Sequence, residues 1–314
     1  MGYDGYIYKT GGDNETSFST LSSGKGYNFY DNVNNEITIS GQLAENNDVD
    51  TLLIFSNHGA SLSGFNLLGN PFPSGLDWDV IILDASYPDE TSKGVYFTRD
   101  NAQCSYIGGV GTPLGVTGII PPMQGFFTKT YSTGNTITLL ASARTHNSIH
   151  DRYKGKSEIP LVRLSIVQTI SSAVIGPPLT TKDSLINDET VVRFDEQAKL
   201  ELDYDFDAVK MFLSDNKLSI YSYDGETKYA INGLPFPENS VDIPLVINSP
   251  QADTLKIIAT QIQGLEDYDL ILKDMEQDFN INELKYNEYI FFADSGFVNI
   301  AVITHPALIG CRRA

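Results

Sequence analysis

Histidine, methionine, cysteine and tryptophan are all scarce in this 314-residue chain: four, four, two and one, respectively. The two cysteines, Cys104 and Cys311, lie far apart, and neither belongs to a C-x-x-C pair. Two lone thiols are a simpler reading than a disulfide, and the zinc spacings built on C-x-x-C are excluded. Positive charge is also short. Lys and Arg number 21 against 40 Asp and Glu, a formal net charge of −19. Such an acidic surface repels phosphate backbones and anionic lipid, which argues against nucleic acid and membrane surfaces as partners. No run approaches the ~18 consecutive apolar residues that a membrane-spanning helix needs. The first twenty residues are polar and hold no apolar signal-peptide core, so the chain is expected either to stay inside the cell or to be an internal piece of a longer exported protein. Amphipathic helix patterns of three or more turns are missing as well. "DEQAKLELD" and "FDAVKMFL" are the best candidates, and both are short.

What is present points to strands. Tyrosine (17) and phenylalanine (16) are plentiful, and both suit a pleated surface. Hydrophobic content of 41% with 19% charge fits a folded chain. Short alternating runs recur between Gly, Asn, Asp and Pro: "GYIYK", "EITISGQL", "DTLLIFS", "VYFT", "GFFTK" and "TITLLAS" in the first half. "LVRLSIVQ", "TVVRF", "LSIYSY", "VDIPLVI", "TLKIIATQI", "YDLILKD" and "EYIFFAD" follow in the second. The length suits two domains of about 150 residues. The expected fold is all-β: two tandem antiparallel β-sandwiches, immunoglobulin-like or jelly-roll-like, over residues 1–152 and 153–314. The boundary falls in the polar stretch "RTHNSIHDRYKGKSEIP", which ends at Pro160 before a clean strand.

The single tryptophan sits in "GFNLLGNPFPSGLDWD", Gly64 to Asp79. Phe65 to Leu68 read as a buried strand that Gly69 ends. Pro71 and Pro73 fix φ and donate no hydrogen bond, so the chain must leave the ladder there, and Gly75 permits a tight turn. In strand geometry Leu76 and Trp78 then point one way, and Asp77 and Asp79 the other. One reading makes Trp78 a core plug behind a rigid corner. The other makes Trp78, with Asp77 and Asp79, a sugar-stacking platform, because an indole offers an apolar face and a polar edge. "GIIPPMQGFFTK", Gly118 to Lys129, has the same grammar in reverse, with Pro121 and Pro122 before the release at Gly125.

These two segments in this order, with "GKGYNFYD" upstream and "SARTHN" downstream, resemble modules of large surface-exported proteins of Bacteroidetes-type bacteria that carry a type IX secretion tail. "VRLSI", "DETVVRFDEQAKLELDYDFDAVKMF", "LSIYSYDGETKYAINGLP", "YDLILKD" and "YIFFADSGF" extend the resemblance over most of the chain. The resemblance implies tandem β-sandwich modules near the C-terminal end of a secreted protein, between a passenger and a sorting tail. It carries over no catalytic residue.

Among other constellations, "LELDYDFDAVK" is the most acidic. On a strand Asp203, Asp205 and Asp207 share one face at ~7 Å intervals and repel one another unless a cation sits among them. Their hard oxygens suit Ca²⁺; a solvated edge that discourages edge-to-edge association is the alternative. "YIGGVGTPLG" only faintly resembles a phosphate loop, because no helix pattern follows it. His146 and His150 are four apart but lack the H-E-x-x-H context, and no G-x-S-x-G elbow exists. The function expected is therefore a non-enzymatic module at the cell surface or outside the cell, adhesin-like, which displays a passenger or binds glycan or protein at loops of a sandwich. An accessory carbohydrate-binding domain, or part of a secreted glycoside hydrolase with a carboxylate pair, is the alternative. No cofactor is expected beyond the Ca²⁺ that the three aspartates suggest.

Overall fold

A computed structural model describes residues 21–27, 40–42, 44, 47–57, 63–99, 102–146, 158–168, 186–212, 217–275, 279–284 and 288–306. The runs "GYIYK" and most of "EITISGQL" lie outside these residues, as do His58, His150 and Cys311. The described residues fall into two compact units: one within Met1–Gly109 and Thr117–Gly155, the other within Val110–Val116 and Lys156–Ala314. A short internal segment of the first half thus belongs with the second unit.

In chain order the first strands are β1 (Val49–Leu52), β2 (Phe65–Gly69), β3 (Gly75–Asp77), β4 (Val95–Arg99), β5 (Ala102–Ile107), β6 (Val110–Thr112), β7 (Ile119–Ile120), β8 (Gly125–Lys129), β9 (Thr136–Leu139) and β10 (Arg144–Thr145). One short helix, α1 (Trp78–Ile82), interrupts them. The remaining strands are β11 (Leu161–Gln168), β12 (Ile186–Phe194), β13 (Ala208–Val209), β14 (Ser219–Tyr223), β15 (Lys228–Leu234), β16 (Val241–Ser249), β17 (Asp253–Gln263), β18 (Tyr268–Asp274), β19 (Phe279–Glu283), β20 (Glu288–Ala293) and β21 (Gly296–Pro306). The protein is all-β. The described residues of the two helix candidates form turns and a short strand instead, and aspartate side chains take up backbone N–H groups there: Asp195 that of Gln197, and Asp207 that of Asp203.

In the first unit β1 pairs with β9, β3 lies between β10 and β7, and β2-β8-β4-β5 form a further sheet. Leu68, Phe72, Leu76, Trp78, Tyr96, Tyr106 and Phe126 are its large buried side chains. The second unit is built on one sheet ordered β19-β18-β21-β16-β14-β15-β12-β11-β17-β20, with β13 added on β15. Its ladders are antiparallel except for β12 with β15, which run parallel. Ile257 on β17 and Leu272 on β18 sit near opposite ends of that order, yet both belong to one hydrophobic core with Leu164, Val192, Leu245 and Ile300. A single sheet does this only by curling so that its own inner face becomes two facing layers.

β11 explains why it reads as a nearly unbroken apolar run. Val162, Leu164 and Ile166 enter the core, while Leu161, Arg163, Ser165 and Val167 alternate to the other face and are buried there too.

Candidate functional site

Asn70 joins the two proline corners of the first unit. It follows the last residue of β2 and is buried. Its Oδ1 accepts the Phe72 backbone N–H at 3.0 Å, the side-chain turn to which Asn is suited. Its Nδ2 donates towards the carbonyls of Ser74 (2.9 Å), Ile120 (3.0 Å) and Pro121 (3.0 Å). Its backbone N–H reaches the Gln124 carbonyl at 3.1 Å. Within the second corner Gln124 N–H closes on Pro121 O, and Met123 holds a left-handed φ of 63°. Phe72 is buried under the Arg144 guanidinium, 5.8 Å from the ring centroid, and Arg144 Nε donates to Ser74 Oγ at 3.4 Å. β3 completes the joint by pairing Leu76 with both Ile120 and Arg144. Segments that are scattered along the sequence thus meet at one place.

Trp78 continues that joint inward. Its backbone N–H donates to Gly118 O at 2.9 Å, and its indole N–H to Lys93 O at 2.8 Å. The ring meets Phe126 and Tyr87 edge-on, with centroids 5.5 and 6.4 Å away. Gly118 is required here, because a Cβ would fall 2.5 Å from the Tyr106 ring. The Tyr106 hydroxyl donates to Asp79 Oδ2 at 2.7 Å and accepts from Gly109 N–H at 3.1 Å.

The stacking-platform reading of Trp78, Asp77 and Asp79 is therefore corrected. Trp78 is 0% exposed, so its faces are already occupied by neighbouring side chains. The strand alternation that separates it from the two aspartates stops at Asp77, where the chain turns into α1. Asp77 is the N-cap, and its buried carboxylate accepts the Asp79 N–H at 3.2 Å.

The acidic run is also not a strand. Tyr204 to Phe206 form a turn in which Asp207 N–H returns to Asp203 O at 2.8 Å. Asp203 Oδ1 accepts the Asp205 N–H at 3.0 Å, and its Oδ2 lies 3.7 Å from Lys199 Nζ. Asp207 accepts Asp203 N–H at 2.7 Å on one oxygen and Gly233 N–H at 2.6 Å on the other. The shared face expected of Asp203, Asp205 and Asp207 does not form, because turn hydrogen bonds replace the alternation. Asp205 is exposed while the other two are buried. Among the described residues no three His, Cys, Asp or Glu side chains converge as metal ligands.

Burial pushes the Asp207 carboxyl up to about 7, against the pull of the two backbone N–H groups and with the negative charges of Asp203 and Asp224 adding to the rise. The folded chain thus holds this proton more tightly than the unfolded chain, whose aspartate titrates near 3.8. The associated stability is fully present below that lower value and is lost as pH rises through about 7. Between pH 7.5 and 4.5 the wild type is expected to gain about 3 kcal/mol relative to Asp207→Asn, read from urea unfolding at each pH. A pH-independent difference would refute this assignment.

A second polar cluster lies on the non-core face of the large sheet. Arg163 Nη1 meets Glu189 Oε2 at 3.1 Å, with the two side chains 4% and 1% exposed. Glu189 Oε2 also accepts the Leu114 backbone N–H at 2.8 Å, and Oε1 accepts Ser165 Oγ at 2.9 Å. Arg163 Nε donates to Gln261 Oε1 at 3.1 Å, and Gln261 leads through Gln263 to the Ile159 carbonyl. Burial lowers the Arg163 guanidinium from its ordinary value, and the facing carboxylate opposes that. Next to it Lys210 Nζ pairs with Asp188 Oδ2 at 2.6 Å and donates to Glu189 O at 3.2 Å. Sequence reasoning missed this cluster, although a signal existed: an arginine inside an apolar strand must find a partner or leave the interior.

Lys129 was missed for a related reason. It closes "GFFTK" directly opposite Phe65 in the β2–β8 register, and it is 7% exposed. Cys104 is a buried thiol, His146 is exposed and His305 is half-buried.

One curled sheet and several smaller sheets, with buried polar joints among them, define an all-β protein. The chain belongs to the family described as "Domain of unknown function (DUF8693)", whose profile matches residues 83–300. No curated protein and no solved structure matches it. Among the described residues no helix is long and apolar enough to cross a membrane.

Proposed function

We propose that the protein is a non-enzymatic module of the cell surface or the extracellular space, adhesin-like, which displays a passenger or binds a glycan or protein. The observation that carries this reading is the occupation of the corner residues. Asn70, Asp77, Trp78 and Arg144 are the motif side chains best equipped for recognition or chemistry, and each is engaged within the first unit: Asn70 and Arg144 at the corners, Asp77 as the cap of α1 and Trp78 in the core. A fold that commits such groups to rigidity suits a spacer or display element, with contacts made by loops on a stiff scaffold. The strongly acidic composition, which keeps such a surface soluble and disfavours nucleic acid, fits the same role. The resemblance to type IX-associated surface modules adds the exported setting.

The test is protease shaving of intact native cells, followed by peptide mapping. Peptides of this chain released before lysis are the expected result; peptides found only after lysis would overturn the surface assignment. Turnover of any member of a polysaccharide panel by the purified chain, lost on unfolding, would overturn the non-enzymatic part.

A further inference from the structure

We propose that β20 is a self-association edge, at which a second copy of this chain adds its own β20 antiparallel and joins two large sheets into one. The inference goes beyond the display role and does not depend on it. β20 stands at one end of the sheet order, and among the described residues only β17 pairs with it. Among those residues no strand meets its other row of backbone N–H and C=O groups, an arrangement that recruits another strand. The usual protections of an edge are missing. β20 reads "EYIFFA", with no lysine and no proline, and its register with β17 runs from Glu288–Ile258 to Ala293–Asp253 without a bulge.

Alternation fixes what this edge offers. Tyr289 and Phe291 turn inward, pack against the hydrophobic core and stack on each other with centroids 5.1 Å apart. The Tyr289 hydroxyl also donates to Asp274 Oδ2 at 2.9 Å, so the strand is held in place before a partner arrives. Ile290 and Phe292 point the other way and are 52% and 66% exposed. The one charged side chain of the strand, Glu288, is compensated by Lys256 at 2.9 Å.

A second copy fits because the strand is complementary to itself. In an antiparallel pair centred on Phe291, Ile290 of one copy faces Phe292 of the other, and the exposed apolar side chains of both close into one cluster on the outer face. Moving the centre to Ile290 would set Phe292 against Glu288 instead, so apolar pairing selects the first register. The same strand serves both copies, and the contact closes at two. Two chains of net charge −19 repel at long range, but at physiological salt charges more than about 8 Å apart are largely screened. One short ladder with these side chains lies at the small end of protein interfaces, which sets a weak, reversible dimer with a Kd of about 10–100 µM.

The test is analytical ultracentrifugation of the full chain from about 5 to 500 µM at about 0.15 M salt. A monomer–dimer equilibrium is expected; a monomer throughout, or assembly that grows past the dimer, would overturn the proposal. Ile290→Lys and Phe292→Lys should each raise the dissociation constant roughly tenfold or more, with far-UV circular dichroism unchanged because both side chains are exposed. Phe297 is 62% exposed but lies on β21, inside the sheet order, so Phe297→Lys should leave the constant within about twofold. An equal loss there would mean general stickiness in place of edge pairing. Register is read by oxidative cross-linking mapped by peptide mass. Ile290→Cys mixed with Phe292→Cys should give the mixed disulfide in higher yield than either variant gives with itself; equal yields would rule out the pairing centred on Phe291.

Discussion

Replacing Asn70 with alanine is expected to destabilise the first unit by about 3–4 kcal/mol. The substitution takes the donor from three carbonyls, those of Ser74, Ile120 and Pro121, and the acceptor from the Phe72 N–H. An orphaned buried group costs about 1–3 kcal/mol, and partial relaxation keeps the total below the sum. Asn70→Asp should be at least as harmful at neutral pH. It keeps an acceptor for Phe72 but turns a second oxygen towards three carbonyl oxygens, where like partial charges meet in a buried site. Trp78, the chain's one tryptophan, is buried directly after β3 and reports the transition by its fluorescence during denaturant unfolding. A loss under about 1 kcal/mol would show that the carbonyls find other donors, and the corner would not be the brace described above.

Glu189→Ala should have an effect of similar size in the second unit, about 3–5 kcal/mol, because it leaves Arg163 as an uncompensated charge at 3% exposure. The Leu114 N–H and Ser165 Oγ lose their acceptor at the same time. Arg163→Met combined with Glu189→Leu separates the two contributions. Removing both charges should recover more than half of the loss, since a buried ion pair is often worth no more than apolar side chains of similar volume. The unpaired Leu114 N–H prevents full recovery. Far-UV circular dichroism against urea reads both variants. If the double variant were as unstable as Glu189→Ala alone, the neutral acceptor bonds would be the larger part.

How much of this could be read beforehand differs from element to element. "LVRLSIVQ", "YDLILKD" and "GFFTK" coincide with β11, β18 and β8, because alternation and aromatic or β-branched content are local properties. α1 escaped notice, since one turn of helix after an Asp cap leaves no periodicity to detect. The same five residues set how Trp78 sits: the helix start ends its alternation with Asp77 and Asp79, while its place in the core agrees with the core-plug reading. "LELDYDFDAVK" misled in the same way, because aspartates that can close turns on backbone N–H groups need not alternate across a strand.

An all-β chain with rigid proline corners and an acidic composition could be read from the residues alone. Those follow from side-chain shape, fixed φ and charge, each felt within a few residues. Which groups are bound to which emerges only from the folded chain. Asn70 meets Ile120 across 50 positions, and Glu189 meets Leu114 across 75. The curl of one continuous sheet sets which faces become interior. Register and burial arise from the collapse of the whole chain, and no local pattern encodes where a distant carbonyl or carboxylate will come to rest.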